Sequence, residues 1–517
     1  LWKELQNAAD FPDWDAPHFL GTAEMTYAFA LAYDWLHAAW TPEERKILKT
    51  SIKEKGLEWG LKYYQNKMTD TFNWAKTGNN WNQVCNGAMG IGSLAIADEE
   101  PELAGAILKE GLARLPKAMA DYGPDGAWFE GPMYLAYAMR YNAAFIASLE
   151  SALGTDFGLS QIPGFQNTGR FITAMAGPSG APFNFADAGL SVVLMPELFW
   201  LAAKFNQGDL AYYQETWTQK EFAEGRQRFA EAAGKTPLSL LWYKGKVDSF
   251  DAPFDFYFRN AEVASIRSSW SDPNALFVAF KAGETGESHG HLDLGTFVLE
   301  KNGVRWAADL GPDSYNLPGY NAGFKDKDSK RWRYYRTATE GQNTLVIKAG
   351  ENANQNIGVK AKIDRFGSGS SFSFGIIDLS AAYTPNASSV KRGIAMWERR
   401  QVLIQDEIAA GSKVDIYWIM QTPASVELSG NKKTAILQKD GKECAVEILS
   451  PAEGSFEVWD AQPKLNEPLS EGNNKNEDKK RLVIHLKESA TTLAVIFKDK
   501  GDQKSPKLQA LSTWEKK

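Results

Sequence analysis

Apolar positions recur at helical spacing from the N-terminus to about residue 235 and at strand spacing from Phe254 onward. The stretch 25–40 is apolar at helical spacing and is followed by Thr41-Pro42-Glu43-Glu44. That tetrapeptide is a capping box with Pro at the first helical position, so a new helix is expected there. Further helices are expected over 82–97, 101–121, 134–153 and 190–205. Amphipathic helices joined by short turns imply stacked helical hairpins, as in an α/α toroid or a solenoid. No strict repeat is present, which disfavours the regular solenoids.

The texture changes between Lys235 and Phe250. Beyond it, β-rich runs at 275–280, 342–347, 399–404, 483–486 and 492–497 are punctuated by Gly, Asn and Asp, as expected of antiparallel sheets. Residues 297–306 read as a hairpin around the turn Asn302-Gly303. The segment 472–480 reads as a charged, Asn-rich loop. Helices in one block and strands in the next imply separate layers. The expectation is a multidomain α+β chain: a helical toroid domain at 1–240, an antiparallel sheet domain at 241–424 and a C-terminal β domain at 425–517.

Composition narrows the partners. The net charge of −7 argues against general nucleic-acid binding. No apolar run reaches the roughly 18 residues that a membrane helix needs. The two cysteines, Cys85 and Cys444, form no disulfide framework. No leader is legible and Leu1 falls in what reads as folded sequence, so the natural N-terminus is expected upstream. The 18 Trp, 18 Tyr and 28 Phe exceed ordinary usage; cores take most aromatics, but flat rings also stack on the C–H faces of sugars.

Two of five histidines stand one residue apart in Glu287-Ser288-His289-Gly290-His291-Leu292-Asp293. In a strand both would project to one face, an arrangement suited to proton transfer, metal ligation or one of each. The hairpin would return the chain to Asp309 near the same spot. Three asparagines, Asn79, Asn80 and Asn82, surround Trp81 at an apparent helix start, more than capping requires. Helix N-termini favour anions, so this cluster suits a carboxylate pocket. The loop 123–133 carries Asp125 and Glu130, and Tyr134 and Tyr137 open the next helix on nearly one face. Tyrosine serves as an acid or base where its site lowers a pKa of about 10. Lys325, Lys327, Lys330, Arg331, Arg333 and Arg336, interleaved with Trp332, Tyr334 and Tyr335, suggest a polyanionic ligand. Trp81, Glu130, Tyr137, Arg331 and Arg336 are the expected substrate contacts from these clusters.

Together these segments resemble the heparinase II/III-like polysaccharide lyases. The likeness rests on Asn79-Asn80-Trp81-Asn82, Pro124-Asp125-Gly126 with Glu130-Gly131-Pro132-Met133-Tyr134, His289-Gly290-His291-Leu292-Asp293, Asp309-Leu310-Gly311 and Gln342-Asn343-Thr344-Leu345, in the family's order. It implies an incomplete N-terminal α/α toroid followed by antiparallel β-sandwich layers, and eliminative cleavage of a uronic-acid-containing polysaccharide. By resemblance Tyr134 and His289 are catalytic, and Asn82, Asn79 and Asn80 hold the substrate carboxylate. Tyr315 resembles a further tyrosine of the site. Members that carry a metal use a His of the pair, a following Asp and a His before Asn-Thr. His291 and Asp309 match the first two, whereas Gln342 stands in the third place. An amide oxygen is a poor zinc ligand, so zinc is disfavoured and a structural calcium is the alternative, with no cofactor required for the reaction.

The expected partner is an acidic polysaccharide, a glycosaminoglycan first and alginate second. Such a polymer implies a periplasmic or secreted protein. Two rivals stay open on sequence: a glycoside hydrolase using Asp125 and Glu130, and a non-catalytic polysaccharide-binding protein.

Overall fold

The computed structural model describes residues 1–68, 71–223, 236–247, 252–348, 353–466 and 474–515. The chain forms two compact units. The first comprises Leu1–Trp128, Tyr134–Arg170 and Leu194–Phe250; the second comprises Phe129–Met133, Phe171–Val193 and Asp251–Lys517. A helical region is thus followed by antiparallel sheet, the fold class expected from the sequence.

The first unit is built from helices that include Leu20–Trp35, Pro42–Ser51, Asn80–Ala95, Pro101–Met119 and Pro132–Leu153. The capping box forms as expected. Thr41 Oγ1 accepts from the Glu44 amide at 3.2 Å, and Glu44 Oε2 accepts from the Thr41 amide at 2.8 Å. Helices Leu20–Trp35 and Asn80–Ala95 pack closely because Gly92 has no side chain: a Cβ there would stand 2.6 Å from Cγ2 of Thr26. Around them Phe19, Tyr63 and Trp74 form an aromatic core, with Phe19 stacked on Trp74 at 4.8 Å. The helix expected over 190–205 is shorter, Glu197–Phe205. Pro196 lies just ahead of it, and a proline biases the residue before it toward extended backbone, which keeps Met195 and the preceding chain out of the helix.

Among its described residues the second unit holds two antiparallel sheets. One runs in the order Asp255–Phe258, Val263–Arg267, Phe277–Lys281, Phe297–Lys301, Val304–Ala307. The expected hairpin is present, with Asn302 at φ 56° and Gly303 at φ 74°, the left-handed pair that a two-residue turn of this kind needs. The other sheet, eleven strands among the described residues, is centred on Gln401–Thr422, which pairs along most of its length with Lys480–Lys498. The runs expected separately at 483–486 and 492–497 are therefore one continuous strand. A shared apolar core includes Phe280, Phe297, Trp306, Ile404, Trp418 and Phe497. Buried within it, Arg392 grips Asp406 through two bonds of 2.7 and 2.9 Å and donates to the carbonyls of Gly295 and Asn343. That ties the loop ahead of Phe297 to the sheet beneath it.

The texture change at 235–250 and the loop at 472–480 fall partly outside the described residues. Among the described residues no helix is long and apolar enough to cross a membrane.

Candidate active site

His289 and His291 do not lie in a strand. They sit in the loop between strands Phe277–Lys281 and Phe297–Lys301, and His289 takes the left-handed conformation at φ 60°. The reason is Arg331. Its guanidinium is fully buried and donates to the carbonyls of His289 and Gly290 at 3.0 Å each and to that of Tyr320 at 2.9 Å. Carbonyls turned onto a side chain cannot join a ladder, and a left-handed non-glycine residue costs on the order of 1–2 kcal/mol. The strand expectation was wrong in backbone but the two rings still converge, because both reach one carboxylate.

That carboxylate is Asp187, in the segment Phe171–Val193 of the same unit. Its Oδ2 lies 3.1 Å from His289 Nδ1, and its Oδ1 lies 3.0 Å from His291 Nε2. Tyr315 Oη donates to Oδ2 at 3.1 Å, Tyr320 Oη to Oδ1 at 2.8 Å, and Arg331 to both oxygens at 3.0 and 3.1 Å. Burial alone would raise the pKa of Asp187. The bonds from both histidines and the Arg331 charge more than offset it and hold the carboxyl well below the usual range. Sequence reasoning missed this residue, although it left a trace: Asp187 is the only charged side chain between Arg170 and Glu197.

The other expected residues of this unit fall around the same point. Tyr315 stacks nearly parallel to His289, with centroids 6.0 Å apart. Glu130, fully buried, has Oε1 3.8 Å from His289 Nε2. Gln342 offers its amide nitrogen to His291 Nδ1 at 3.3 Å. Arg336 is turned inward, donating to the Pro312 carbonyl at 2.7 Å and to Asn476 Oδ1. Of the basic cluster, Lys325, Lys327, Lys330 and Arg333 are exposed, whereas Arg331 is buried.

In the first unit, helix Asn80–Ala95 starts at the asparagine cluster. Asn79 is half-buried and its Oδ1 accepts from Thr77 Oγ1 at 2.8 Å. Asn80 and Asn82 are buried. The Asn82 amide nitrogen donates to the carbonyls of Thr77 at 3.0 Å and Arg114 at 3.4 Å. Trp81 meets Phe72 and His18 edge-on, at 5.0 and 4.8 Å. Tyr134 is half-buried in the first turn of Pro132–Leu153. Tyr137 donates to Glu24 Oε1 at 2.6 Å, and burial together with that bond pushes its pKa far up.

The metal expected at His291, Asp309 and Gln342 can be tested against their bonding. Both ring nitrogens of His291 are engaged, by Asp187 and by Gln342. Asp309 Oδ2 and Gln342 Oε1 are buried without a partner, while Asp309 Oδ1 accepts from the Gly311 amide at 2.7 Å. Zinc wants an imidazole nitrogen to itself, and calcium wants about six to eight oxygens. Gln342 in the place of an imidazole disfavours zinc here, and these three side chains alone fall short of the roughly six to eight oxygens of calcium. Among the described residues no group of three His, Cys, Asp or Glu is arranged to hold a metal. Dialysis against a chelator is expected to leave the thermal midpoint unchanged; a fall reversed by zinc or calcium would overturn this.

Burial pushes the Asp309 carboxyl up to about 6, His291 pulling the other way. Unfolded, its pKa is about 3.9. The native state therefore favours the protonated form, and the stability this lends is present below the unfolded value and lost as pH rises through about 6. Asp309→Asn removes the ionisation while keeping an oxygen for Gly311. It is expected to exceed the wild type in stability by about 1–3 kcal/mol near pH 8, and to match it near pH 4. Denaturant melts at the two pH values check this; equal midpoints at the higher one would refute it.

Residues 255–504 match the family model described as Heparinase II/III-like, C-terminal. The structure of the heparan sulfate lyase HepC from Pedobacter heparinus is similar over 94% of this chain and 69% of its own, at 15% identity and a TM-score of 0.62. Heparinase III is similar over 94% of this chain and 70% of its own, at 12% identity and a TM-score of 0.67. No curated protein sequence matches the chain significantly. Residues 255–504 thus resemble the C-terminal domain of heparinase II/III-like proteins, and the chain has the fold of heparinase III.

Proposed function

We propose that this protein is a polysaccharide lyase that cleaves a uronic-acid-containing acidic polysaccharide by β-elimination. The observation that carries the reading is His289: within a heparinase II/III-like domain, its Nδ1 is anchored by a buried, ionised carboxylate. An imidazole held in this way is suited to repeated proton transfer.

The chemistry assigns the remaining roles. The proton at C5 of a uronate is weakly acidic because the neighbouring carboxylate is ionised. Asn79 and Asn80 neutralise that carboxylate and stabilise the enolate-like transition state. Asn82, with its amide nitrogen on two backbone carbonyls, holds the turn that presents them. Tyr134 and His289 divide the removal of the C5 proton and the protonation of the departing O4. Trp81 offers a ring face to a sugar, and Tyr315 lines the site beside His289.

A glycosaminoglycan is the first substrate class, since exposed Lys325, Lys327, Lys330 and Arg333 suit sulfate and carboxylate groups. Alginate is the second, its carboxylate chemistry being the same. Such a polymer places the protein in the periplasm or outside the cell.

The test is ultraviolet absorbance during incubation with heparan sulfate, heparin, chondroitin sulfate, hyaluronan and alginate. Elimination creates a C4–C5 double bond conjugated to the carboxylate, and hydrolysis does not. A rise on one polymer supports the lyase and names its substrate. Reducing ends without a rise would replace the lyase with a hydrolase, and binding without cleavage would leave a carbohydrate-binding protein.

A further inference from the structure

We infer that Asp187 is the positioning residue that fixes the His289 imidazole in its Nδ1–H tautomer and makes Nε2 the reactive nitrogen. This rests on the reading of His289 as a catalytic group.

Three atoms form a closed triangle: His289 Nδ1 to Asp187 Oδ2 at 3.1 Å, Tyr315 Oη to the same Oδ2 at 3.1 Å, and Tyr315 Oη to the same Nδ1 at 3.0 Å. Suppose Nδ1 carried a lone pair. It would face an anionic oxygen at hydrogen-bond distance, and the single Tyr315 proton could satisfy only one side of the triangle. With the proton on Nδ1, both donors point at the carboxylate and no lone pairs oppose. Which ring nitrogen carries the proton is set by the bond the other makes, so the carboxylate decides the matter.

Asp187 cannot turn away from this duty. Its other oxygen accepts from Tyr320 at 2.8 Å and from Arg331 at 3.0 Å and lies 3.0 Å from His291 Nε2. The ring of His289 is flanked by Tyr315 and by Phe324, with centroids at 6.0 and 6.1 Å. Its Nε2 is directed toward Glu130 Oε1 at 3.8 Å. Where a carboxylate plays this part in serine proteases, exchanging it for an amide strands the imidazole in the wrong tautomer and lowers turnover by about 10⁴-fold.

Five histidines in the whole chain make the tautomer directly observable. The experiment is long-range proton–nitrogen NMR on the full chain with nitrogen-15 imidazoles in mildly alkaline buffer, His289 being assigned by the signals lost in His289→Gln. The wild type is expected to show a protonated Nδ1 and an unprotonated Nε2 at His289. Tyr315→Phe, which leaves the bond to Asp187 in place, is expected to keep that state. Asp187→Asn is expected to shift the proton to Nε2 and to lower kcat by at least roughly 100-fold with KM nearly unchanged. A double variant Asp187→Asn/His289→Ala is expected to be no slower than His289→Ala. An Nε2–H or doubly protonated ring in the wild type overturns the inference, as does a tautomer lost in Tyr315→Phe or retained in Asp187→Asn. If Asp187→Asn does not fold, the wild-type and Tyr315→Phe spectra still decide. If the spectra behave as expected while no polymer yields an unsaturated product, the lyase reading fails and the role of Asp187 in orienting the ring stands.

Discussion

Tyr134→Phe is expected to lower turnover by roughly 10²–10⁴-fold, the usual contribution of a positioned acid or base. The thermal midpoint is expected to move little. Tyr134 sits half-buried in the first turn of Pro132–Leu153, so the substitution removes one hydroxyl and leaves the ring's packing in place. Loss of the absorbance signal in a protein that melts like the wild type identifies a chemical role. A rate within about tenfold of the wild type would remove Tyr134 from the mechanism. His289→Ala, assayed alongside, separates the partners: if the two divide acid and base duties, each variant alone loses most of the rate and the double variant loses little more.

The second large effect falls on stability. Arg331→Met is expected to cost about 3–5 kcal/mol, because breaking a buried ion pair from one side strands the other charge. The guanidinium is fully buried, bonds both oxygens of Asp187 and holds three backbone carbonyls, those of His289, Gly290 and Tyr320. A midpoint lower by about 3–5 °C follows for a chain of this size. Had Arg331 been a surface residue that meets the polymer, its loss would raise KM and leave the midpoint alone. Lys327→Ala and Arg333→Ala are expected to behave in that second way, since both side chains are exposed. An Arg331→Met protein that melts normally would move Arg331 back to the substrate.

Local signals carried most of the fold. The Thr41 capping box, the Asn302-Gly303 turn and the change from helical to strand spacing each act over a few residues, and each is realised. The candidate site was legible only in part. The motifs marked His289, His291, Tyr315, Glu130 and Gln342, and these do gather in the second unit. Hidden from the sequence was the partner that gathers them, because Asp187 lies 102 positions before His289. A run of Lys and Arg reads as a solvated face, and nothing in its spacing marks Arg331 as the one drawn inward by that distant carboxylate. The same long-range pull bent the His pair out of the strand that its local pattern suggested.

The chain passes between its two units at 128/129, 133/134, 170/171, 193/194 and 250/251. The stretch that a family model recognises, 255–504, therefore contains both histidines and Arg331 but neither Asp187 nor Glu130. Inherited or transplanted as a module, that stretch would bring a left-handed His289 and a buried cation with no anion to meet them. Gene shuffling at the apparent domain boundary would yield a folding liability in place of a portable catalyst. The segments that carry Glu130 and Asp187 must then travel with it, and natural variants of this architecture are expected to diversify by substitution more readily than by exchange of that stretch.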